Sequence, residues 1–308
     1  MPELPAVEFT RRLIEEHCIN QRIASVDFIG GMPDELIFTE AAADFVKNRL
    51  KGMKVGQVGR WGKQLFLIIE PKKGKRSIYD TDAESAFVSV LLIHLGMTGF
   101  IQFKGTDRLL YESSPSNSKR EKDNVWPPKF LKFTFAFENG ELMAFCDARR
   151  FGKVDFLSVP IDSDVISFLK QDLALGFDPL LDFPEYEEFC NLLAKEMKRK
   201  INVKTLLMEQ KFVAGIGNWM ADDILLLAGI KPSRSISSLK SIEVKKFHKA
   251  IREITLISVG AGAKKAEFPK GWLFHIRWQH GNETLTGLKV LKTKIGGRTT
   301  FWVPELQK

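Results

Sequence analysis

Residues 203–234, VKTLLMEQKFVAGIGNWMADDILLLAGIKPSR, read as two amphipathic helical segments, 203–211 and 219–228, joined by Gly215-Ile216-Gly217-Asn218. Two glycines this close together permit a tight backbone, and Asn218 stands where an N-cap is expected. A helix N-terminus with open N–H groups is a ready phosphate site. A capped helical hairpin without a ligand is the plain alternative, so the meaning of the stretch depends on its surroundings.

Helical periodicity continues on both sides, at 165–171, 184–197 and 242–258. The N-terminal half is patterned differently. Segments 22–29, 53–58, 64–70, 86–94, 99–103, 130–137, 142–147 and 154–157 read as strands between Gly, Pro and Asn turns, which predicts a β-sandwich. Helices flank it: one after Pro5, with Val7, Thr10, Leu13, Ile14 and His17/Cys18 at helical spacing, and one over 39–50. Residues 158–164 read as an interdomain linker and 104–129 as a long polar excursion. Residues 285–303 read as a basic β-hairpin around Ile295-Gly296-Gly297-Arg298. The expected fold class is α+β, with domains 1–158, 159–284 and 285–308, and no internal repeat.

The chain has 308 residues and is 44% hydrophobic, enough for about two domains with buried cores. No run of about 18 apolar residues occurs. Glu3, Glu8, Arg11 and Arg12 stand where a signal peptide needs an apolar segment, so an intracellular protein is expected. Forty-six Lys+Arg against 38 Asp+Glu give a net charge of +8, which favours a polyanionic partner, nucleic acid first. Cys18, Cys146 and Cys190 form no C-x-x-C pair and support neither a zinc site nor a disulfide framework.

The chain begins Met1-Pro2-Glu3-Leu4-Pro5. Methionine before proline is usually trimmed, so a mature chain starting with the secondary amine of Pro2 is expected. An unperturbed α-amino group has a pKa of roughly 7.7–8.0, which leaves on the order of a tenth of it neutral at pH 7. Just ahead of a helix N-terminus the dipole disfavours protonation further, and Glu3 is close enough to move protons. A frayed terminus without chemistry is the alternative.

Five motifs in order decide between these readings: MPELP from Met1, HLGMTG from His94, DARRFG from Asp147, GIGNWMAD from Gly215 and GGRTTFWVPELQK from Gly296. Together they resemble the Fpg/Nei family of formamidopyrimidine-DNA glycosylases, over nearly the whole chain. The resemblance implies a bifunctional glycosylase and AP lyase of base excision repair acting on oxidised purines in double-stranded damaged DNA. It implies a β-sandwich, a helix-two-turn-helix domain, and DNA running between them. Pro2 matches the nucleophile that attacks C1′, Glu3 the acid that assists ring opening, and Lys63 a lysine near the lesion phosphates. His94 and Lys204 fall where the family contacts backbone or lesion, and Asn218 at the phosphate-binding turn. Met97, Arg149 and Phe151 match the wedge that fills the hole left by a flipped nucleotide. A core methionine, a core phenylalanine and a solvated arginine are the alternatives for these three.

Most bacterial relatives carry a four-cysteine zinc finger at the C-terminus; this chain lacks all four cysteines. It resembles the zincless-finger branch of plants and fungi, with Arg298 matching the finger arginine that grips phosphate. No cofactor and no metal are implied, a monomer without membrane attachment is expected, and a nuclear location follows from the branch. Ala6 and Asp223 depart from the pattern, each standing where glutamate is common. Residues 260–268, which match a loop that closes over flipped 8-oxoguanine, are short and glycine-rich. Strong excision of formamidopyrimidines and hydantoins and weak excision of 8-oxoguanine are therefore expected. A damaged-DNA-binding relative that has lost catalysis, favoured by Ala6, is the rival reading.

Overall fold

Alternating apolar residues in the N-terminal half sort into two faces. The structure, a computed structural model, describes residues 2–71, 87–106, 125–277 and 284–308. Among these residues, two four-stranded antiparallel sheets form. One has the order β2 (Lys54–Trp61), β3 (Gln64–Glu70), β4 (Phe87–His94), β8 (Lys153–Pro160). The other has the order β1 (Ile23–Phe28), β6 (Leu131–Phe137), β7 (Leu142–Cys146), β5 (Phe100–Phe103). In β6 the buried Phe133, Phe135 and Phe137 alternate with half-buried neighbours, the period of a strand with one face in a core. They share that core with Leu65, Leu67, Ile69, Leu91 and Ile93 of the opposite sheet, and with Val7, Ile14 and Cys18 of α1 (Leu4–Cys18). Phe133 stacks on Phe145 at 5.1 Å between ring centroids. This is the expected β-sandwich.

Two local differences have physical causes. The helix expected over 39–50 is α2 (Glu40–Asp44), capped by Thr39 Oγ1, followed by a wider π-turn over Phe45–Arg49. The extra residue in that turn lets Phe45, Val46 and Leu50 all bury, with Phe45 stacked on Phe156 at 4.1 Å. Strand β8 runs three residues into the expected linker, because Ser158, Val159 and Pro160 pair with Ser89, Val88 and Phe87 and Val159 is fully buried. The expected excursion at 104–129 lies outside the described residues except at its ends.

Most of the first 172 residues form one compact unit; the second takes Leu173–Lys308 and, from the far end of the chain, Glu3–Pro5. In the second, α4 (Tyr186–Glu196), α5 (Val203–Met208), α6 (Asn218–Ala228) and α7 (Ser241–Gly260) enclose Phe189, Leu206, Leu207, Ile224, Phe247 and Ile251; α3 (Val165–Asp172) belongs to the first. Helix α5 stops at Met208 rather than 211, since Phe212 and Val213 are drawn into the core and Val213 bridges to Phe177. Helix α6 ends on Gly229 in the left-handed conformation, φ 71°.

The C-terminal hairpin pairs β11 (Leu291–Ile295) with β12 (Arg298–Trp302), after a short pair β9 (Thr284–Leu285) and β10 (Leu288–Lys289). Gly296 and Gly297 both have positive φ, 55° and 72°, as a two-residue hairpin turn matched to strand twist requires. The hairpin's inner face buries Phe301 and Val303 against Leu273, Ile276, Leu285 and Val290.

Candidate active site

Helix α6 follows Gly215-Ile216-Gly217, and its first N–H groups need acceptors. The sequence puts Asn218 at the cap; the structure puts Gly217 there, without a side chain, and makes Asn218 the first helical residue. The acceptor arrives from the start of the chain. Glu3 Oε2 accepts from Gly217 N at 2.9 Å and Met220 N at 3.1 Å, and Oε1 accepts from Trp219 N at 3.0 Å. Leu4 N donates to Gly215 O at 3.0 Å, and the Leu4 side chain is buried in the same core.

Both glycines are needed for this. A Cβ at Gly217 would lie 2.3 Å from Glu3 Cδ, and one at Gly215 would lie 2.7 Å from the Leu4 side chain. Three of the N–H groups that the sequence leaves open for phosphate are therefore occupied by a carboxylate of the chain itself. Pro2, buried and peptide-bonded to Glu3, is tethered by this anchor.

Asn218 Nδ2 donates to Thr299 O at 3.0 Å, tying the start of α6 to β12, while its buried Oδ1 has no partner among the described residues. Arg298, two positions past the turn's first glycine, is exposed. Lys204, expected where the family contacts backbone or lesion, has a fully buried side chain in this structure. It donates to Asp222 Oδ1 at 2.6 Å and Thr300 Oγ1 at 2.7 Å. Asp222 Oδ2 accepts from Arg277 and, at 3.1 Å, from Phe301 N. Burial pushes Asp222 upward and Lys204 downward, against the attraction between them. This network joins α5, α6 and β12, and nothing in the spacing of the sequence marks it.

In the first unit, Lys63 sits in the tight turn between β2 and β3, beside His94 at the end of β4, whose register partner is Gln64. Behind that turn Arg60 is 1% exposed. Its Nε donates to Glu8 Oε2 at 3.1 Å and its Nη1 to Gly62 O at 3.1 Å, so α1 is wired to the backbone just before Lys63. Burial would raise Glu8, but hydrogen bonds from Arg11, Arg12 and Arg60 and the charge of Arg60 hold it below the ordinary carboxylate value. His94 Nδ1 accepts from Gly96 N at 3.1 Å. Burial first, and the Lys63 charge second, lower its pKa, so the ring is neutral at neutral pH with Nε2–H as its donor.

The three wedge candidates lie on two loops of this unit that touch backbone to backbone. A Cβ at Gly96, φ 64°, would lie 2.4 Å from the Phe151 carbonyl carbon. Buried Asp147 ties them: Oδ1 accepts from Thr98 Oγ1 and from Arg149 N at 3.1 Å, and Oδ2 accepts from Gly152 N at 2.7 Å. Above this knot Arg149 and Phe151 are exposed, the guanidinium 4.6 Å from the ring centroid, and Met97 is half-buried. Phe151, at 49% exposure, is not a core side chain.

Of the two departures, Ala6 is buried on α1 and offers only a methyl group. Asp223 is buried on α6; Oδ1 accepts from Leu273 N at 2.6 Å while Oδ2 has no partner among the described residues. Burial raises its pKa well above the carboxylate range. Among the described residues no group of three or more His, Cys, Asp or Glu is placed to hold a metal ion, and no helix is long and apolar enough to cross a membrane.

Residues 1–154 match the formamidopyrimidine-DNA glycosylase N-terminal domain family, and residues 175–269 match the formamidopyrimidine-DNA glycosylase H2TH domain family. The formamidopyrimidine-DNA glycosylase of Arabidopsis thaliana is 35% identical over 309 residues, covering 100% of this chain and 71% of that protein. Its namesake from Prochlorococcus marinus is 29% identical, covering 100% of both. The crystal structure of Lactococcus lactis Fpg with abasic-site DNA is 25% identical, covers 99% of each chain and gives a TM-score of 0.72.

Two outcomes follow from the geometry. Lys204→Met removes one of the two cations facing buried Asp222 and leaves Asp222 Oδ1 and Thr300 Oγ1 without that donor, so it should lower unfolding free energy by about 1–3 kcal/mol in urea titrations, leaving the salt dependence of ligand binding unchanged. His94 should titrate below 6.5 by proton NMR and move upward in Lys63→Met, as the repelling charge is removed. Because the folded-state pKa is depressed, the contribution of His94 to stability is present above pH 6.5 and lost as the pH falls toward the folded value.

Proposed function

Since this chain belongs to the formamidopyrimidine-DNA glycosylase family and is a DNA glycosylase of DNA repair, we propose that it is bifunctional. It removes oxidised purines through a Schiff base on Pro2 and nicks the strand by β,δ-elimination. The observation that carries this reading is the grip of three backbone N–H groups on Glu3. A terminus whose second neighbour is held in this way is not frayed, and its amine is pre-positioned once Met1 is removed.

The neutral nitrogen attacks C1′ of the damaged nucleotide, and the base leaves with the glycosidic electron pair and takes up a proton. Opening of the sugar at O4′, protonated by Glu3, gives the iminium. Loss of a C2′ proton then expels the 3′ phosphate, a second elimination expels the 5′ phosphate, and hydrolysis returns Pro2. Lys63 and the Nε2–H of His94 meet phosphate or lesion oxygens. Met97, Arg149 and Phe151 occupy the space of the flipped nucleotide, with Arg149 reading the opposite base. Asn218 and Arg298 hold phosphate, the latter from a finger without zinc. The protein works as a monomer in the nucleus on duplex DNA, as expected for a plant- or fungal-type branch.

The stretch expected to cover the lesion supports the substrate reading. Helix α7 runs to Gly260, and Phe268 is already buried against Trp219 at 5.5 Å, so only residues 261–267 remain between them. A cover this short makes few aligned contacts with an intact purine that differs little from guanine. Ring-opened lesions stack and pair poorly and need less help to leave the duplex.

Borohydride should trap the protein covalently on abasic DNA, and Pro2→Gly should reduce the trapped fraction by tenfold or more; equal trapping through a lysine would overturn the nucleophile. This also separates an active enzyme from the binding-only relative that Ala6 favours. Single-turnover rates on matched duplexes should rank formamidopyrimidine and hydantoin well above 8-oxoguanine. Equal rates would show that residues 260–268 do not set the substrate range.

A further inference from the structure

Arg150 lies between the two exposed wedge candidates, Arg149 and Phe151, and its sequence context allows a solvated charge or a phosphate contact. The structure gives it another partner. Its backbone is left-handed, φ 56°, a conformation uncommon for a side chain without local hydrogen-bonding to its own backbone. Its guanidinium forms a two-point fork on Asp34, with Nε to Oδ2 at 2.7 Å and Nη2 to Oδ1 at 2.6 Å.

Asp34 is itself held. Its Oδ1 accepts from Leu36 N at 3.0 Å, and its carbonyl accepts from Ile37 N at 2.8 Å and Phe38 N at 2.9 Å. This loop is in turn laced to the strand that follows Arg150. Lys153 Nζ donates to Leu36 O at 2.7 Å, Val154 N to Ile37 O at 2.7 Å, and Thr39 N to Val154 O at 3.0 Å. The wedge loop is therefore clamped twice: from beneath by Asp147 on Arg149 N and Gly152 N, and from the side by Asp34 on the Arg150 side chain.

We infer that Asp34 and Arg150 are positioning residues for discrimination of the base opposite the lesion: the fork keeps residue 150 left-handed and so aims Arg149 and Phe151. The inference rests on the proposed wedge role of that pair. An arginine with two donors committed to a carboxylate, paired charge for charge, is a poor phosphate ligand. The hydrogen bonds from Arg150 also hold Asp34 below the ordinary carboxylate value, consistent with a persistent fork. The pair is partly exposed, 46% for Arg150 and 19% for Asp34, so its effect is modest. A roughly three- to fivefold change in preference is the scale expected of such a pair.

The test measures single-turnover base release with one lesion opposite each of the four bases. It compares the parent protein, Arg149→Ala, Asp34→Asn, Arg150→Gln, and the exchanged pair Asp34→Arg with Arg150→Asp. Binding is measured at several salt concentrations, and melting temperatures check folding. Asp34→Asn and Arg150→Gln should each lose roughly three- to fivefold of the opposite-base preference with an unchanged salt slope, and the exchange should restore part of it. If Arg150→Gln lowers the salt slope by about one while Asp34→Asn changes nothing, Arg150 is a phosphate contact and the inference falls. If both leave the preference intact while Arg149→Ala alters it, the fork does not aim the wedge. If Arg149→Ala itself changes nothing, the wedge reading fails and takes this inference with it.

Discussion

The start of α6 is buried, and a buried helix N-terminus without acceptors is costly because each unpaired N–H loses its water. The cap residue is glycine and provides no oxygen. The need is met by Glu3, 214 residues distant from Gly217 in sequence. Much of the second unit's local sequence is shaped by that arrangement. Gly217 leaves room for the carboxylate, Gly215 leaves room for Leu4, and Leu4 joins the same core as Trp219 and Met220. Residue 2 inherits its position from residue 3 through one peptide bond. In the proposed mechanism, an amine tethered in this way has already lost on folding the freedom that a flexible terminus would give up on reacting.

The first unit follows a similar plan with different chemistry. Groups that face solvent stand on buried polar supports, and the supports are satisfied by backbone. Asp147 accepts from two N–H groups and a hydroxyl beneath Arg149 and Phe151, while Glu8 and Arg60 connect α1 to the carbonyl preceding Lys63. Removing such a support leaves an unpaired donor or acceptor in low dielectric, which is costly. His94 takes its orientation from one backbone donor, which selects the tautomer and leaves the other ring nitrogen as donor.

In the second unit, a buried charge network joins the C-terminal hairpin to the helices alongside the apolar packing of Phe301 and Val303. Lys204, Asp222 and Arg277 sit together with Phe301 N, and each depends on the others to offset desolvation. Beside them Asp223, one methylene shorter than glutamate, reaches Leu273 N with one oxygen and leaves the other without a partner among the described residues. Burial first, and the Asp222 charge second, push this carboxyl upward.

Local sequence determined the element types: strand alternation in the N-terminal half, helical spacing beyond it, the double-glycine hairpin turn at 296–297, and the motif order that identified the family. These signals are legible because they act between residues a few positions apart, where backbone sterics and side-chain periodicity suffice. Tertiary structure decided what caps α6, where the Lys204 ammonium goes, how far β8 extends and which partner Arg150 takes. Each of those outcomes depends on groups tens to hundreds of residues apart finding each other, the Arg150–Asp34 pair at a partly exposed surface and the rest in a water-poor interior. There, an unsatisfied hydrogen bond or charge outweighs local propensity, and no spacing rule in a single sequence records the partner.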